Sequence, residues 1–219
     1  YTVVDQYSDA LSGFSATVFD KGGVKYLAIR GTDPDNWGTF IDLIADIGVF
    51  EGLNGQQQYQ ELQLFFQSLL SSGIIQASNL YVTGHSLGGL LAQMLAVDQA
   101  GQIAQTMTFN APGVGGIGAE ILQSVGILPV DIPLSSVINV YAEPGLSATA
   151  GLGVMIGSTQ GIYIEANLDP LHNHSAETLT DSLAVYNLLA QLAPNLDNDP
   201  NALSTITGIL KASSNVVAN

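Results

Sequence analysis

The chain has 219 residues, 47% of them hydrophobic and only 11% charged, with 19 acidic side chains against four basic ones and a formal net charge of -15. That length and apolar fraction describe a packed globule of one domain, 1–219, rather than a disordered chain. The charge repels phosphate backbones and argues against nucleic acid as a partner; it also argues against docking on anionic lipid through a basic patch, while leaving apolar contact with a neutral lipid surface open. The absence of cysteine excludes disulfides, thiol catalysis and cysteine-ligated metal.

The opening YTVVDQYSD carries no initiator methionine and no signal-like run, so a processed product or a piece of a longer chain is expected, with a secreted or extracellular bacterial setting. FSATVFD and VKYLAIR follow as two strands of a hairpin, joined by Lys21-Gly22-Gly23, a turn that accepts positive φ. In GTDPDNWGTFIDLIADIGVF the Asp33-Pro34-Asp35-Asn36 stretch is turn chemistry, and a short helix is expected from near Trp37. QQQYQELQLFFQSLLS puts Tyr59, Leu62, Phe65, Phe66 and Leu69 on one helical face, stopped by Gly73.

Next come LYVT, LLAQMLAVDQA, TMTFN and VINVYA, read as strand, helix, strand and strand, an alternation that implies a parallel sheet. Residues 145–161 are rich in small residues without a period and lead into the short run IYIEA. Ser175 starts a long amphipathic helix, SAETLTDSLAVYNLLAQL, and a further helix is expected over 202–210. No apolar run reaches the roughly 18 residues that cross a bilayer, and no repeat or linker divides the chain. One α/β domain accounts for all of it.

Between LYVT and LLAQMLAVDQA stands Gly84-His85-Ser86-Leu87-Gly88. A serine between glycines at a strand-to-helix crossing is forced into a strained turn, because side chains at the flanking positions would collide with strand and helix. The hydroxyl of Ser86 is thereby expected to turn outward over a helix N-terminus, where the N–H of Leu87 and the helix dipole would meet the oxyanion formed when serine attacks an acyl carbon. Without that context, a capped tight turn would be the plainer reading.

LAIRGTDPDNWGTFID, taken with GHSLGG, resembles the class 3 (fungal-type) lipase family of the α/β-hydrolases, whose fold is a mostly parallel sheet flanked by helices. The resemblance runs from about Val24 to His174. It rests on Arg30-Gly31-Thr32, Asn36-Trp37 and Asp42, and on TFNAPG, where Asn110 and Pro112 are read as structural. It implies that Thr32 supplies the second oxyanion donor through its backbone N–H, opposite Leu87. It also implies a lid or the rim of an acyl groove around Phe40, Ile41, Leu43, Ile44, Ile47, Val49 and Phe50; an ordinary amphipathic helix with Asp42 and Asp46 on its polar face is the alternative.

A serine nucleophile needs a base, and the chain has three histidines, His85, His172 and His174. His85 lies inside the turn and diverges from Ser86; the other two lie on a loop before the long helix, where the order serine, acid, histidine puts the base. His174 is preferred because it abuts the helix start at Ser175, with His172 in reserve. For the acid, Asp98, Glu120, Asp131, Glu143, Glu165 and Asp169 all precede the histidines. Glu143, just past the end of a buried strand, is chosen, although the family usually carries Asp there; Asp131 and Asp169 are the alternatives. Asn195 to Asp199 reads as a solvated turn rather than a calcium loop, and the chemistry calls for no cofactor. The expected function is hydrolysis of carboxylic esters of lipids; a phospholipase A1 or other esterase shares the chemistry, and a non-catalytic adhesion domain on the same scaffold is the reading of another class.

Overall fold

The computed structural model describes residues 1–31, 53–77, 79–114, 131–132, 134–143, 153–165, 168–193, 199 and 201–217. Thr32, Asn36, Trp37, Asp42, the expected lid over 40–50 and most of the turn 195–199 lie outside them. The chain gathers into two compact units, one of residues 1–140 with 149–160, the other of residues 141–148 with 161–219.

The first unit begins with an antiparallel meander of β1 (Thr2–Ser8), β2 (Ser15–Lys21) and β3 (Val24–Ile29). The β2–β3 hairpin turns through Gly22 and Gly23, at φ 63° and 88°, as the sequence predicts. From β3 the sheet is parallel: β3 pairs with β4 (Leu80–His85), β4 with β5 (Gln105–Phe109) and β5 with β7 (Val137–Glu143). The full order is β1-β2-β3-β4-β5-β7-β9, with β9 at Ser158–Tyr163; β6 (Asp131–Ile132) and β8 (Met155–Ile156) make a separate parallel pair. This mostly parallel sheet with helices between its strands is the expected α/β architecture.

Helices α1 (Leu53–Ser71) and α2 (Leu87–Asp98) connect successive strands of the parallel part. On α1, Leu62, Phe65, Phe66 and Leu69 are buried against Val18, Leu27 and Val82 of the sheet and Leu91 and Leu95 of α2, with Tyr59 packed beside them. Gly73, at φ 74°, follows the helix end. Helix α2 is buried on nearly every side, from Leu87 to Ala96, which is why its sequence is apolar all round.

The second unit holds α3 (Pro170–His174), α4 (Ala176–Leu192) and α5 (Ala202–Val217). Ser175 caps α4, its hydroxyl accepting the Thr178 N–H at 3.1 Å. Leu179, Tyr186 and Ile206 are buried, and the Tyr186 hydroxyl accepts the Tyr163 N–H at 3.1 Å and bonds the Thr207 hydroxyl at 2.7 Å.

Three expectations change, and one strand, β1, was not anticipated. The segment with His172 and His174 is a short helix rather than a loop, because Asp169 caps it, accepting the Leu171 N–H at 3.0 Å, and Pro170 opens it. Helix α5 runs seven residues beyond Leu210 to Val217, since no breaker follows and the hydroxyls of Ser213 and Ser214 fold back onto the Leu210 carbonyl. Strand β9 starts at Ser158 inside the small-residue run and ends at Tyr163. Strand β1 has no alternating pattern because it is an edge strand, exposed along most of its length.

Two residues of α1 give a direct check of the packing. Phe66→Ala is expected to cost about 3–5 kcal/mol, while Leu64→Ala, at a side chain 71% exposed, should change stability by no more than about 0.5 kcal/mol, both read by urea denaturation.

Candidate active site

Strand β4 ends at His85 and α2 begins at Leu87, leaving Ser86 alone at the crossing with φ 55° and ψ -126°. That conformation is costly for a residue with a Cβ, on the order of 1–3 kcal/mol. Its neighbours hold it. The Ser86 N–H donates to the Phe109 carbonyl at 3.0 Å, and the Ser86 carbonyl accepts from Gly89 at 2.9 Å and Leu90 at 3.2 Å.

The flanking glycines are required by contact distance. A Cβ on Gly84 would lie 2.3 Å from the Gly88 carbonyl, and one on Gly88 would lie 2.3 Å from the Ile29 carbonyl oxygen. The end of β3 is therefore pressed directly on the first turn of α2. Gly31 meets the other side of the kink, where a Cβ would sit 2.4 Å from the His85 carbonyl oxygen. His85 itself is half-buried.

The kink is the expected one, but the serine does not face solvent. Ser86 is 0% exposed, and among the described residues its Oγ has no hydrogen-bond partner. A positive φ carries the side chain off the line of strand and helix without deciding what else covers it. A buried hydroxyl without a partner is unfavourable, by about 1–3 kcal/mol. Leu87 supplies the first N–H of α2, a group that finds no acceptor within the helix, so a donor and the positive end of the helix dipole adjoin Ser86. Its proposed companion Thr32 lies outside the described residues.

The candidate bases His172 and His174 and the candidate acids Glu143 and Asp169 belong to the second unit, whereas Asp131 opens β6 in the first. Glu143 is the last residue of β7, not a residue beyond it. Its carboxylate rests on β9 at Gly161, where a Cβ would come within 2.6 Å of the carboxyl carbon. Partial burial, and then the neighbouring Glu143 carboxylate, push the Tyr141 phenol above its ordinary range. His174 ends α3 and is 3% exposed. His172 is exposed, its Nε2 3.4 Å from the Thr178 hydroxyl, and it lines a 430 Å³ cleft with Glu165, Asp181 and Val185. Asp169 is exposed and caps α3. Among the described residues no group of three or more His, Asp or Glu side chains is arranged to hold a metal ion, and no helix is long and apolar enough to cross a membrane.

The sequence reading overlooked a set of buried amides and hydroxyls in the first unit. Gln93 donates to the Pro112 carbonyl at 2.8 Å and accepts the Ile156 N–H at 3.3 Å. Asn139 donates to the Ile156 carbonyl at 2.7 Å and accepts the Thr108 hydroxyl at 2.6 Å. Their signal was a lone polar residue inside an otherwise apolar run, as in LLAQMLA and VINVYA.

No protein-family model and no curated protein matches the chain. Among solved structures it is similar to the Lip2 lipase from Yarrowia lipolytica, at 18% identity over 78% of this chain and 68% of that one, with a TM-score of 0.45. It is similar also to a lipase from Rhizopus microsporus var. chinensis, at 17% identity over 75% of this chain and 62% of that one, TM-score 0.40. A third is a triacylglycerol lipase from Penicillium expansum, at 16% identity over 74% of this chain and 69% of that one, TM-score 0.42. The likeness to these structures assigns no residue a role.

The strain and the orphaned hydroxyl at Ser86 make a stability prediction. Ser86→Gly should relieve the backbone and Ser86→Ala should remove the unpaired oxygen, so each should raise the unfolding free energy by about 1 kcal/mol. Thermal and urea denaturation check it, and a loss of stability in both variants would contradict this account of the kink.

Proposed function

We propose that the chain is a serine hydrolase of carboxylic esters, with lipid esters as its substrate class. The observation that carries this reading is Ser86: a serine kept in an unfavourable conformation, packed by glycines, at the N-terminus of a buried helix. A fold retains such strain where its neighbours over-determine it, and strain of this kind clusters at reactive positions.

In the proposed reaction His174 takes the Ser86 proton as Oγ attacks the ester carbonyl carbon. The tetrahedral oxyanion is met by the N–H groups of Leu87 and Thr32. Collapse breaks the bond to the alcohol, which leaves with the proton from His174. Water, deprotonated by the same imidazole, then attacks the acyl-enzyme, and the acid is released with Ser86 restored. Glu143 is proposed to orient His174; an extracellular setting goes with this reading. The composition, 47% hydrophobic and 11% charged, fits an apolar acyl chain. Phospholipids and other esters would follow the same steps, and the net charge of -15 favours an uncharged head group over an anionic one.

One observation favours a second reading, a hydrolase scaffold that binds without catalysis: Ser86 is 0% exposed. A fluorophosphonate probe separates the two. Folded protein should be labelled at Ser86 and Ser86→Ala should not; absence of labelling in the folded parent would favour the scaffold. On a short p-nitrophenyl ester, His174→Ala and Glu143→Gln should each lose at least about a hundredfold in kcat/KM while His172→Ala stays within about threefold. Loss confined to His172→Ala would move the base there. On vesicles carrying anionic lipid, turnover should rise with added salt as the like charges are screened.

A further inference from the structure

The reactive-serine reading concerns the kink itself; the question beyond it is what holds the kink. Gln93, Asn139 and Thr108 are each 0–2% exposed, and none is charged. Their hydrogen bonds form a circuit that begins at Thr108 within β5 and ends at Pro112 just beyond it.

From Thr108 the hydroxyl donates to Asn139 Oδ1 at 2.6 Å, and Asn139 Nδ2 donates to the Ile156 carbonyl at 2.7 Å and the Ser158 carbonyl at 3.2 Å. The Ile156 N–H in turn donates to Gln93 Oε1 at 3.3 Å, and Gln93 Nε2 donates to the Pro112 carbonyl at 2.8 Å. Between Thr108 and Pro112 lies Phe109, whose carbonyl accepts the Ser86 N–H at 3.0 Å. Thr108 is also the register partner of Gly84. Gln93 stands two turns along α2 from Ser86, on the same side of the helix. The circuit therefore grips the kink from both ends: through β5 it fixes the acceptor of the Ser86 N–H, and through Gln93 it fixes the helix whose first N–H groups follow the serine.

We propose that Gln93, Asn139 and Thr108 are positioning residues for the Ser86 nucleophile, locking α2 and the exit of β5 so that the strained backbone at Ser86 is held in its reactive conformation. This rests on the reading of Ser86 as nucleophile. Ordinary core packing does not require the circuit, since apolar side chains of similar volume fill such space at less desolvation cost. What hydrogen bonds add is direction, and direction is what a strained turn needs.

Two gentle variants test it, Thr108→Val and Gln93→Met, each removing donors or acceptors while nearly keeping volume. Ser12→Ala is the comparison. It deletes one part-buried and one buried hydrogen bond of the same unit, to Glu61 at 2.6 Å and from Phe14 at 3.1 Å, far along the chain from the circuit. At a temperature where all remain folded by circular dichroism, fluorophosphonate labelling should slow by about ten- to a hundredfold in Thr108→Val and Gln93→Met and stay at the parent rate in Ser12→Ala. Amide exchange at Ser86 and Leu87 should quicken about tenfold in the first two, beyond any change in the slowest-exchanging core amides. Parent-like labelling together with parent-like exchange at Ser86 would reduce the circuit to a purely structural role. If the parent protein itself does not label, the nucleophile reading fails; the exchange measurement still decides whether the circuit holds the kink.

Discussion

The crossing from β4 to α2 and the segments packed on it answer to one constraint, a backbone turned to φ 55° at a residue that is not glycine. The energy it stores, on the order of 1–3 kcal/mol, is a sizeable share of the stability of a domain this size, so it survives only where alternatives are closed. Gly84 and Gly88 close them by letting strand and helix approach to a distance no side chain permits. The parallel order of β3, β4 and β5 closes them again, since it sets the Phe109 carbonyl beneath the Ser86 N–H. Strand, turn and helix are consequently one object, and the hydroxyl at its apex is part of it.

The chain's poverty in charge shapes how it builds its interior. Burying an ion costs far more than burying an amide, and the buried polar side chains of α2, of β7 and of residues 105–110, Ser86 aside, are Gln93, Asn139, Thr106, Thr108 and Asn110. Asn110 follows β5 at φ 45°, a conformation asparagine tolerates, and bonds the Val140 carbonyl at 2.9 Å. Neutral groups arranged in a circuit give orientation without the desolvation cost of a salt bridge. Among the described residues no acidic side chain is buried, and a net negative charge repels anionic surfaces.

In the second unit the two histidines of α3 are placed by capping. Asp169 and Pro170 start α3, and Ser175 both ends it and begins α4. His174 is thus the last residue of one helix and the neighbour of a cap, buried at 3% exposure, while His172 two residues earlier is exposed. Two imidazoles so close in sequence differ because a helix carries neighbours at that spacing to different sides.

What the sequence determined alone was whatever local chemistry dictates: the Gly22-Gly23 hairpin, the apolar face of α1, the Ser175 cap, the alternation that makes a parallel sheet, and the kink at Ser86, whose strand, glycines and helix follow one another without a break from Leu80 to Asp98. Strand β1 and the start of β9 were not legible, because an edge strand and a small-residue strand exist through pairing with partners distant in sequence. The burial of Ser86 was also decided only in three dimensions: φ is a property of one residue, whereas exposure depends on every segment that passes over it. So too with Gln93, Asn139 and Thr108, which look like isolated polar interruptions along the chain. They become a circuit only when folding brings residues 93, 108, 112, 139 and 156 together, because a hydrogen bond depends on distance in space and not on separation in sequence.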